Sequence, residues 1–85
     1  MPEYTVLFAR SARRDLEHLP EDVVARVLPR IEALARSPRP VGCLKLRGGS
    51  GFWRIRIGQY RVIYSISDVE RIVDVSAVVD RKDAY

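Results

Sequence analysis

The residues best suited to chemistry in this chain are arginines that flank a short turn. Arg54 and Arg56 alternate with apolar residues before Gly58-Gln59, and Arg61 follows shortly after it. A guanidinium stays charged at any working pH and binds phosphate through two parallel hydrogen bonds. It does not act as a base at neutral pH, so a site made of arginines works through charge and positioning.

A hairpin register follows from the period-two alternation around this turn. If Gly58-Gln59 forms a two-residue turn, Arg56 lies directly opposite Arg61, and Arg54 shares their face. A slip of one residue would bury the arginines, which the pattern forbids. The apolar residues then share the opposite face, which should pack on helices: Trp53, Ile55, Ile57, Tyr60, Val62 and Tyr64.

The sequence allows two interpretations of the opposed arginines. Like charges directly opposite each other destabilise a strand pair by up to about 1 kcal/mol, and an anion bound across both would offset that cost. The alternative is a surface network in which polar residues of the last strand, Asp74 and Ser76, balance the arginines. It requires the alternate residues of that strand to point inward: Val73, Val75 and Ala77.

Residues near the end of the chain and in the preceding loop extend this basic set. Arg81 and Lys82 follow the last predicted strand, and Tyr85 is the final residue in the sequence. An aromatic side chain beside an arginine cluster is suited to stacking on a nucleic-acid base. Lys45 and Arg47 are two residues apart, so strand spacing would place both on one face, where they either extend the basic surface, the favoured prediction, or are simply solvated.

The elements that must position these residues give an α+β fold with an N-terminal strand, two helices and a three-stranded antiparallel meander. The helices should cover one face of a small twisted sheet. Ser11 is predicted to cap the first helix, and the second helix should stop before Pro38. The predicted strands span residues 3–8, 53–57, 60–66 and 71–79, and the predicted helices begin at residues 11 and 21.

Two segments interrupt this regular pattern. Pro29 falls inside the second helical stripe, where a proline removes one backbone hydrogen bond, and this predicts a kink or an early break. Residues 37–51 are rich in proline and glycine and are predicted to be mostly loop. Within that loop, Leu44 and Leu46 are expected to turn inward.

Composition places residues 1–85 in one small basic domain. Hydrophobic residues make up 47% of the chain, which is enough for a core. The formal net charge is +4, which favours nucleic acid or an acidic protein as the partner. The chain has one cysteine, no predicted signal peptide and no membrane-length apolar run, so a cytoplasmic setting without disulfide, metal or cofactor is expected.

Three segments resemble the RelE branch of the RelE/ParE toxin superfamily, and the resemblance covers nearly the whole chain. The specific part runs from Arg54 to Tyr64. The chain departs from the family pattern in having Asp80 where many members have histidine, and arginines at 54 and 56 where lysines are common. The resembling segments are Lys45-Leu46-Arg47-Gly48, Trp53 to Tyr64, and Arg81-Lys82-Asp83-Ala84-Tyr85.

This resemblance implies a ribosome-dependent endoribonuclease that cuts mRNA in the decoding site. The ribose 2′-hydroxyl would attack the adjacent phosphate and leave a cyclic phosphate. A RelB-like antitoxin would bind the toxin in a hetero-oligomer and neutralise it. The residues that match the family's functional positions are Arg54, Arg56, Arg61, Arg81 and Tyr85, with Lys45, Arg47 and Lys82 as further RNA contacts.

Two rival functions share the same fold. A ParE-like inhibitor of DNA gyrase would act on a protein, and gyrase binding does not require a cluster of RNA-binding arginines. A module that binds RNA or a protein partner without cutting would keep the basic face and lack the cleavage. Assays of gyrase supercoiling and of cleavage on programmed ribosomes separate the three.

Overall fold

The helices and strands follow one another in nearly the predicted order. A computed structural model of the chain describes residues 3–48 and 51–81. In chain order the elements are β1 (Thr5–Phe8), α1 (Arg10–Glu17), α2 (Glu21–Glu32) with a 3₁₀ turn (Ala33–Ala35), β2 (Leu44–Lys45), β3 (Phe52–Ile57), β4 (Tyr60–Ser67) and β5 (Ile72–Asp80).

The strands form a mixed sheet in the order β1-β5-β4-β3-β2. The antiparallel meander of β3, β4 and β5 confirms the prediction for the second half of the chain. β1 runs parallel to β5, with Thr5 opposite Ile72, a pairing that local patterns did not predict. β3, β4 and β5 therefore lie inside the sheet, and each has a neighbouring strand on both sides.

One face of the sheet packs against the two helices, which confirms the predicted α+β arrangement. The helical half contributes one-sided stripes of buried residues, as the periodicity of the sequence indicates. The buried residues from the helical half are Ala12, Val23, Val27, Ile31 and Leu34. Those from the sheet are Ile55, Ile57, Tyr60, Val62, Tyr64, Val73, Val75 and Val78.

α1 begins at Arg10, so Ser11 lies inside the helix and does not cap it. The residue before the helix is Ala9, whose backbone is extended and whose side chain makes no capping hydrogen bond. Ser11 Oγ instead donates a hydrogen bond to the carbonyl oxygen of Ser76 in β5, at 2.6 Å. Its role is therefore to attach the helix to the sheet.

α2 is continuous through Pro29, and it ends before the apolar stripe does, which is the earlier end that the sequence predicted as the alternative to a kink. The α-helix ends three residues later, at Glu32, and continues as the 3₁₀ turn to Ala35. Pro29 is exposed, so its ring points away from the core. In the described residues, no helix has the length and apolar character needed to cross a membrane.

Part of the predicted loop forms the short edge strand β2. Leu44 pairs with Arg54 and Lys45 with Trp53. Leu44 is 53% exposed and does not turn inward as predicted, whereas Leu46 is half-buried. Two residues are too few for a recognisable alternation, which explains why the sequence pattern did not indicate a strand.

The alternation along β5 changes at Ser76. Val75 pairs with Tyr64 and Ala77 pairs with Ile63, so Ser76 is an extra residue in β5, as in a β-bulge. The prediction that Ala77 points inward is wrong, because the bulge moves every later residue to the other face. Val78 instead occupies the buried position and is 3% exposed.

A charged cluster closes the end of the sheet opposite the β3–β4 hairpin. Arg39 forms a bidentate ion pair with Asp68, with donor–acceptor distances of 3.2 and 2.9 Å. The Tyr4 hydroxyl donates to the same carboxylate. Hydrogen bonds from Arg39 and Tyr4 lower the pKa of Asp68 to about 2. The cluster therefore joins the segment before β1, the loop before β2 and the β4–β5 turn.

Asp68→Asn is expected to lower the midpoint of thermal unfolding at pH 7. The folded-state pKa of Asp68 lies below its ordinary value of 3.8, so its contribution is complete above that value and is lost as pH falls towards 2. The difference between wild type and variant, measured by circular dichroism, should therefore shrink between pH 4 and pH 2. A difference that stays constant with pH would contradict this account.

Candidate functional site

The predicted register of the arginine hairpin is confirmed. Arg56 lies directly opposite Arg61, and Ile57 lies opposite Tyr60. Gly58 has a positive φ of 62° and Gln59 does not, which is the pattern of a type II′ turn with glycine in its first position. The turn fixes the register, and the register sets the two arginines side by side.

The surface of the sheet that points away from the helices is called here the arginine face. Arg56 and Arg61 form one row with Val79, and Arg54 forms the next row with Ile63 and Ala77. Aliphatic side chains thus lie between and beside the guanidinium groups. Charges set over an apolar surface are less screened than charges surrounded by water, which favours binding of an anion.

The three hairpin arginines differ in how firmly they are held. Arg56 is exposed, whereas Arg54 and Arg61 are half-buried. The Nε atom of Arg61 is buried, so its aliphatic stem lies against the sheet. A guanidinium fixed in this way loses less side-chain entropy when it binds a ligand than one on a mobile stem.

Arg81 is attached to the same hairpin through its backbone. It follows β5 directly, and its amide donates a hydrogen bond of 2.6 Å to the carbonyl oxygen of Gln59 in the turn. Arg81 is exposed. The fold therefore brings Arg54, Arg56 and Arg61 of the hairpin together with Arg81, which follows β5, as the sequence predicted.

Asp74 lies on the arginine face but away from the opposed pair. It is opposite Ser65, four residues along β4 from Arg61, which corresponds to about 13 Å. Ser76, the other residue of the predicted balancing network, is the extra residue of the bulge. The predicted network therefore does not stand between Arg56 and Arg61.

Asp80 lies on the helix side of the sheet. It is opposite the buried Tyr60, and Gln59 Nε2 donates a hydrogen bond of 3.0 Å to Asp80 Oδ2. Asp80 also lines a cleft of about 500 Å³ on that side. Arg14 of α1 and His18, which follows the helix, line the same cleft. The acidic residue that distinguishes this sequence is therefore turned away from the row of Arg56 and Arg61.

The other predicted basic residues have different positions. Lys45 lies opposite Trp53, with its Nζ 5.9 Å from the centre of the indole ring, so it is on the helix side and does not extend the arginine face. Arg47 is exposed just after β2. Lys82 and Tyr85 lie outside the described residues. RNA contacts by Lys45, Arg47 and Lys82 and the catalytic role of Tyr85 stay predictions.

The arrangement of these strands has a known counterpart. Residues 6–85 match the family model described as the ParE toxin of type II toxin–antitoxin systems. The chain belongs to the RelE/ParE superfamily of type II toxins. The match spans both helices and the arginine hairpin, so the resemblance noted in the sequence is confirmed over almost the whole chain.

Curated relatives of this toxin include two from Mycobacterium tuberculosis. Its toxin RelG is 39% identical over 83 residues, which cover 96% of this chain and 95% of RelG. Its toxin RelE is 30% identical over 83 residues, which cover 96% of this chain and 86% of RelE. These two relatives are named RelG and RelE, whereas the matching family model carries the ParE name.

Solved structures of RelE proteins share the fold of this toxin. The RelBE2 toxin–antitoxin complex of Mycobacterium tuberculosis matches with a TM-score of 0.83 at 36% identity, covering 93% of this chain and 99% of the other. The archaeal RelE–RelB complex of Pyrococcus horikoshii matches with a TM-score of 0.82 at 28% identity, covering 99% and 100%. Both similarities confirm the RelE-like fold.

Sequence reasoning missed two side chains of α1 that contact the site-bearing strand of this toxin. Ser11 and Asp15 both form hydrogen bonds with the backbone of β5, at Ser76 and Val78. Their spacing of four residues places them on one face of α1. No local signal could have identified the partners, because the bonds join positions more than 60 residues apart.

Proposed function

We propose that this toxin is a ribosome-dependent endoribonuclease that cuts mRNA and thereby stops translation. The observation that carries the proposal is the direct opposition of Arg56 and Arg61 on the arginine face, with Arg81 beside the same hairpin turn. Two cations directly opposite each other destabilise the folded strand pair, and a bound polyanion such as RNA would offset that repulsion. The RelG and RelE relatives support the ribonuclease branch of the superfamily.

The four arginines divide into two pairs with different roles in this proposal. Arg61 and Arg81 grip the scissile phosphate. Arg54 and Arg56 bind the flanking backbone and stabilise the negative charge that develops on the phosphorane. Tyr85, from the end of the sequence, stacks on a base or accepts a proton.

The reaction is an internal transfer at phosphorus. The 2′-oxygen forms a bond to the adjacent phosphorus, and the bond from phosphorus to the 5′-oxygen of the next nucleotide breaks. The products are a 2′,3′-cyclic phosphate and a free 5′-hydroxyl. The attacking hydroxyl loses a proton and the leaving oxygen gains one, so no metal or cofactor is needed. Arginine cannot take that proton, so positioning by the ribosome and transition-state charge provide most of the acceleration.

A RelB-like antitoxin is the proposed partner of this toxin. Solved relatives from Mycobacterium tuberculosis and Pyrococcus horikoshii are complexes of a RelE toxin with a RelB antitoxin. The segment that neutralises this toxin should be acidic or amphipathic, because it must cover a basic face. Co-expression of a cognate RelB-like antitoxin is expected to restore growth of cells that express the toxin.

The test is cleavage of a defined mRNA on stalled ribosomes. Purified toxin is added to ribosomes programmed with the message, and new 5′ ends are mapped by primer extension. A cut in the decoding-site codon that requires ribosomes supports the proposal, and the same message without ribosomes is the control. Folded protein that leaves the message intact would overturn it.

The name of the matching family model provides a reason to assay DNA gyrase in parallel. Supercoiling of relaxed plasmid by gyrase should be unaffected by this toxin at concentrations that cut mRNA. Inhibited supercoiling with intact mRNA would instead assign the protein to the gyrase-directed branch. Binding to ribosomes with neither effect would indicate a module that has lost cleavage.

Arg56→Glu is expected to stabilise the fold and to abolish cleavage. The substitution replaces a pair of like charges across β3 and β4 with an ion pair, worth up to about 1 kcal/mol. The RNA backbone would then meet a carboxylate in place of a guanidinium. Urea denaturation and the ribosome assay measure the two effects.

Arg13→Glu, on the exposed surface of α1, is the matched control for this charge change. It should leave cleavage close to that of wild type and should not stabilise the fold. If both variants change stability equally, repulsion between Arg56 and Arg61 is not the cause.

A further inference from the structure

We propose that Asp15, assisted by Ser11, is a positioning residue for Arg81, because these two α1 side chains hold the bulge that sets the face of each residue at the end of β5. The inference rests on the proposed ribonuclease function and adds to it a contribution from the helix side of the sheet. Neither residue reaches the arginine face, so their effect on cleavage must pass through β5.

β1 pairs with β5 only as far as Val75, so backbone groups beyond Val75 on that edge of β5 need other partners, and α1 supplies two of them. Ser11 Oγ donates to the carbonyl oxygen of the extra residue, Ser76, at 2.6 Å. Asp15 Oδ2 accepts the amide hydrogen of Val78 at 2.9 Å. A charged acceptor on a backbone amide is a strong hydrogen bond, and the Asp15 side chain is half-buried, where water competes less. α1 therefore holds the bulge at the carbonyl of its extra residue, Ser76, and at the amide of Val78 two residues later.

The bulge decides which residues face the opposed arginines. With Ser76 inserted, Val79 lies opposite Arg61 and Asp80 lies opposite Tyr60. If β5 continued without the extra residue, each later residue would pair with β4 one position nearer the β3–β4 turn. Its side chain would then point to the other face of the sheet. Val79 would then enter the helix side, and Asp80 would turn to the arginine face.

Two consequences for the site follow from this register. The Asp80 carboxylate is kept off the row that contains Arg56 and Arg61, where it would compete with phosphate. The same register brings Arg81 next to the hairpin turn, where its amide donates a hydrogen bond to the carbonyl oxygen of Gln59. In the unbulged register Arg81 would extend one residue beyond the turn, and its side chain would start from the opposite face.

The experiment is a double-mutant cycle between Asp15 and Arg81 in the ribosome cleavage assay. Single-turnover rates are measured for wild type, Asp15→Ala, Arg81→Ala and the double variant. Asp15→Ala is expected to slow cleavage by about tenfold or more, since a displacement of about 1 Å at a catalytic group has effects of this order. In the Arg81→Ala background the same change should slow cleavage little further, because residues that act through one another are not additive.

Further variants separate positioning from general support of the fold. Asp15→Asn keeps an oxygen acceptor for the Val78 amide and should restore most of the rate. Glu17→Ala, on the exposed surface of the same helix, is the matched control and should cleave like wild type. Hydrogen exchange at the Val78 amide provides a readout independent of cleavage. Exchange should be faster in Asp15→Ala and unchanged in Glu17→Ala.

Three results would overturn the proposal. The first is an Asp15→Ala variant that cleaves like wild type. The second is an Asp15→Ala effect that multiplies fully with that of Arg81→Ala, since this indicates separate roles. The third is a wild-type protein that does not cut mRNA, which removes the proposed function as well, while Val78 exchange still reports on the bulge. If Asp15→Ala fails to fold, Ser11→Ala replaces it in the cycle.

Discussion

Arg61→Ala is expected to reduce ribosome-dependent mRNA cleavage by about 100-fold or more. Removing a single preorganised donor to a charged transition state typically has an effect of this order. Arg61 combines a central place in the sheet, between Arg56 and Val79, with a stem fixed by the burial of Nε. Its loss removes both the positive charge and the fixed pair of hydrogen-bond donors. The measurement is the single-turnover cleavage rate at saturating toxin.

Two variants calibrate this prediction. Arg61→Lys keeps the charge and loses the bidentate geometry, so it should fall between wild type and alanine. Arg30→Ala removes an exposed arginine of α2 and should leave the rate unchanged. Because Arg61 is half-buried, thermal unfolding of each variant is measured alongside. A folded Arg61→Ala protein with the wild-type rate would eliminate Arg61 from the site.

Tyr64→Ala is expected to have the largest effect on stability, a loss of about 3–5 kcal/mol, as for other large aromatic residues removed from a core. The Tyr64 side chain is fully buried in the centre of β4. A small domain has a total stability of about 5–15 kcal/mol, so this single change should bring the protein close to unfolding. Urea denaturation followed by circular dichroism measures the loss.

Tyr64→Phe separates the ring from the hydroxyl. The Tyr64 hydroxyl donates a hydrogen bond of 2.8 Å to the carbonyl oxygen of Pro38, and burial raises the pKa of this phenol. Removing the hydroxyl leaves that carbonyl without its donor and should cost about 1–3 kcal/mol. A Phe variant as unstable as the Ala variant would mean that the contact with the Pro38 loop, and not ring packing, dominates.

The sequence was sufficient for those parts of the fold that depend on local periodicity. The arginine hairpin was predicted residue by residue, because a two-residue turn and a period of two leave one register that buries the apolar side chains. The helical stripes were predicted for the same reason. The opposition of Arg56 and Arg61 followed from the register alone, before any resemblance to a family was used.

The features that the sequence did not reveal depend on contacts between distant segments. The bulge at Ser76 is accompanied by hydrogen bonds from Ser11 and Asp15, and nothing in the local pattern of β5 indicates an extra residue. The inward prediction for Ala77 failed for this reason. The prediction placed Lys45 on the arginine face, whereas its pairing with Trp53 places it on the helix side of the sheet. A two-residue strand is too short for its register to be recognised from the sequence.

The parallel pair at the edge of the sheet bears on how the toxin is made. β1 is synthesised first, yet its partner in this pair is β5, with Thr5 opposite Ile72, 67 positions later. Pairings between such distant segments form slowly, since a long loop must close before any contact is gained. The growing chain therefore cannot complete its sheet until the last strand has emerged. Assembly of the arginine face, which needs β5 beside β4, therefore belongs to the end of synthesis.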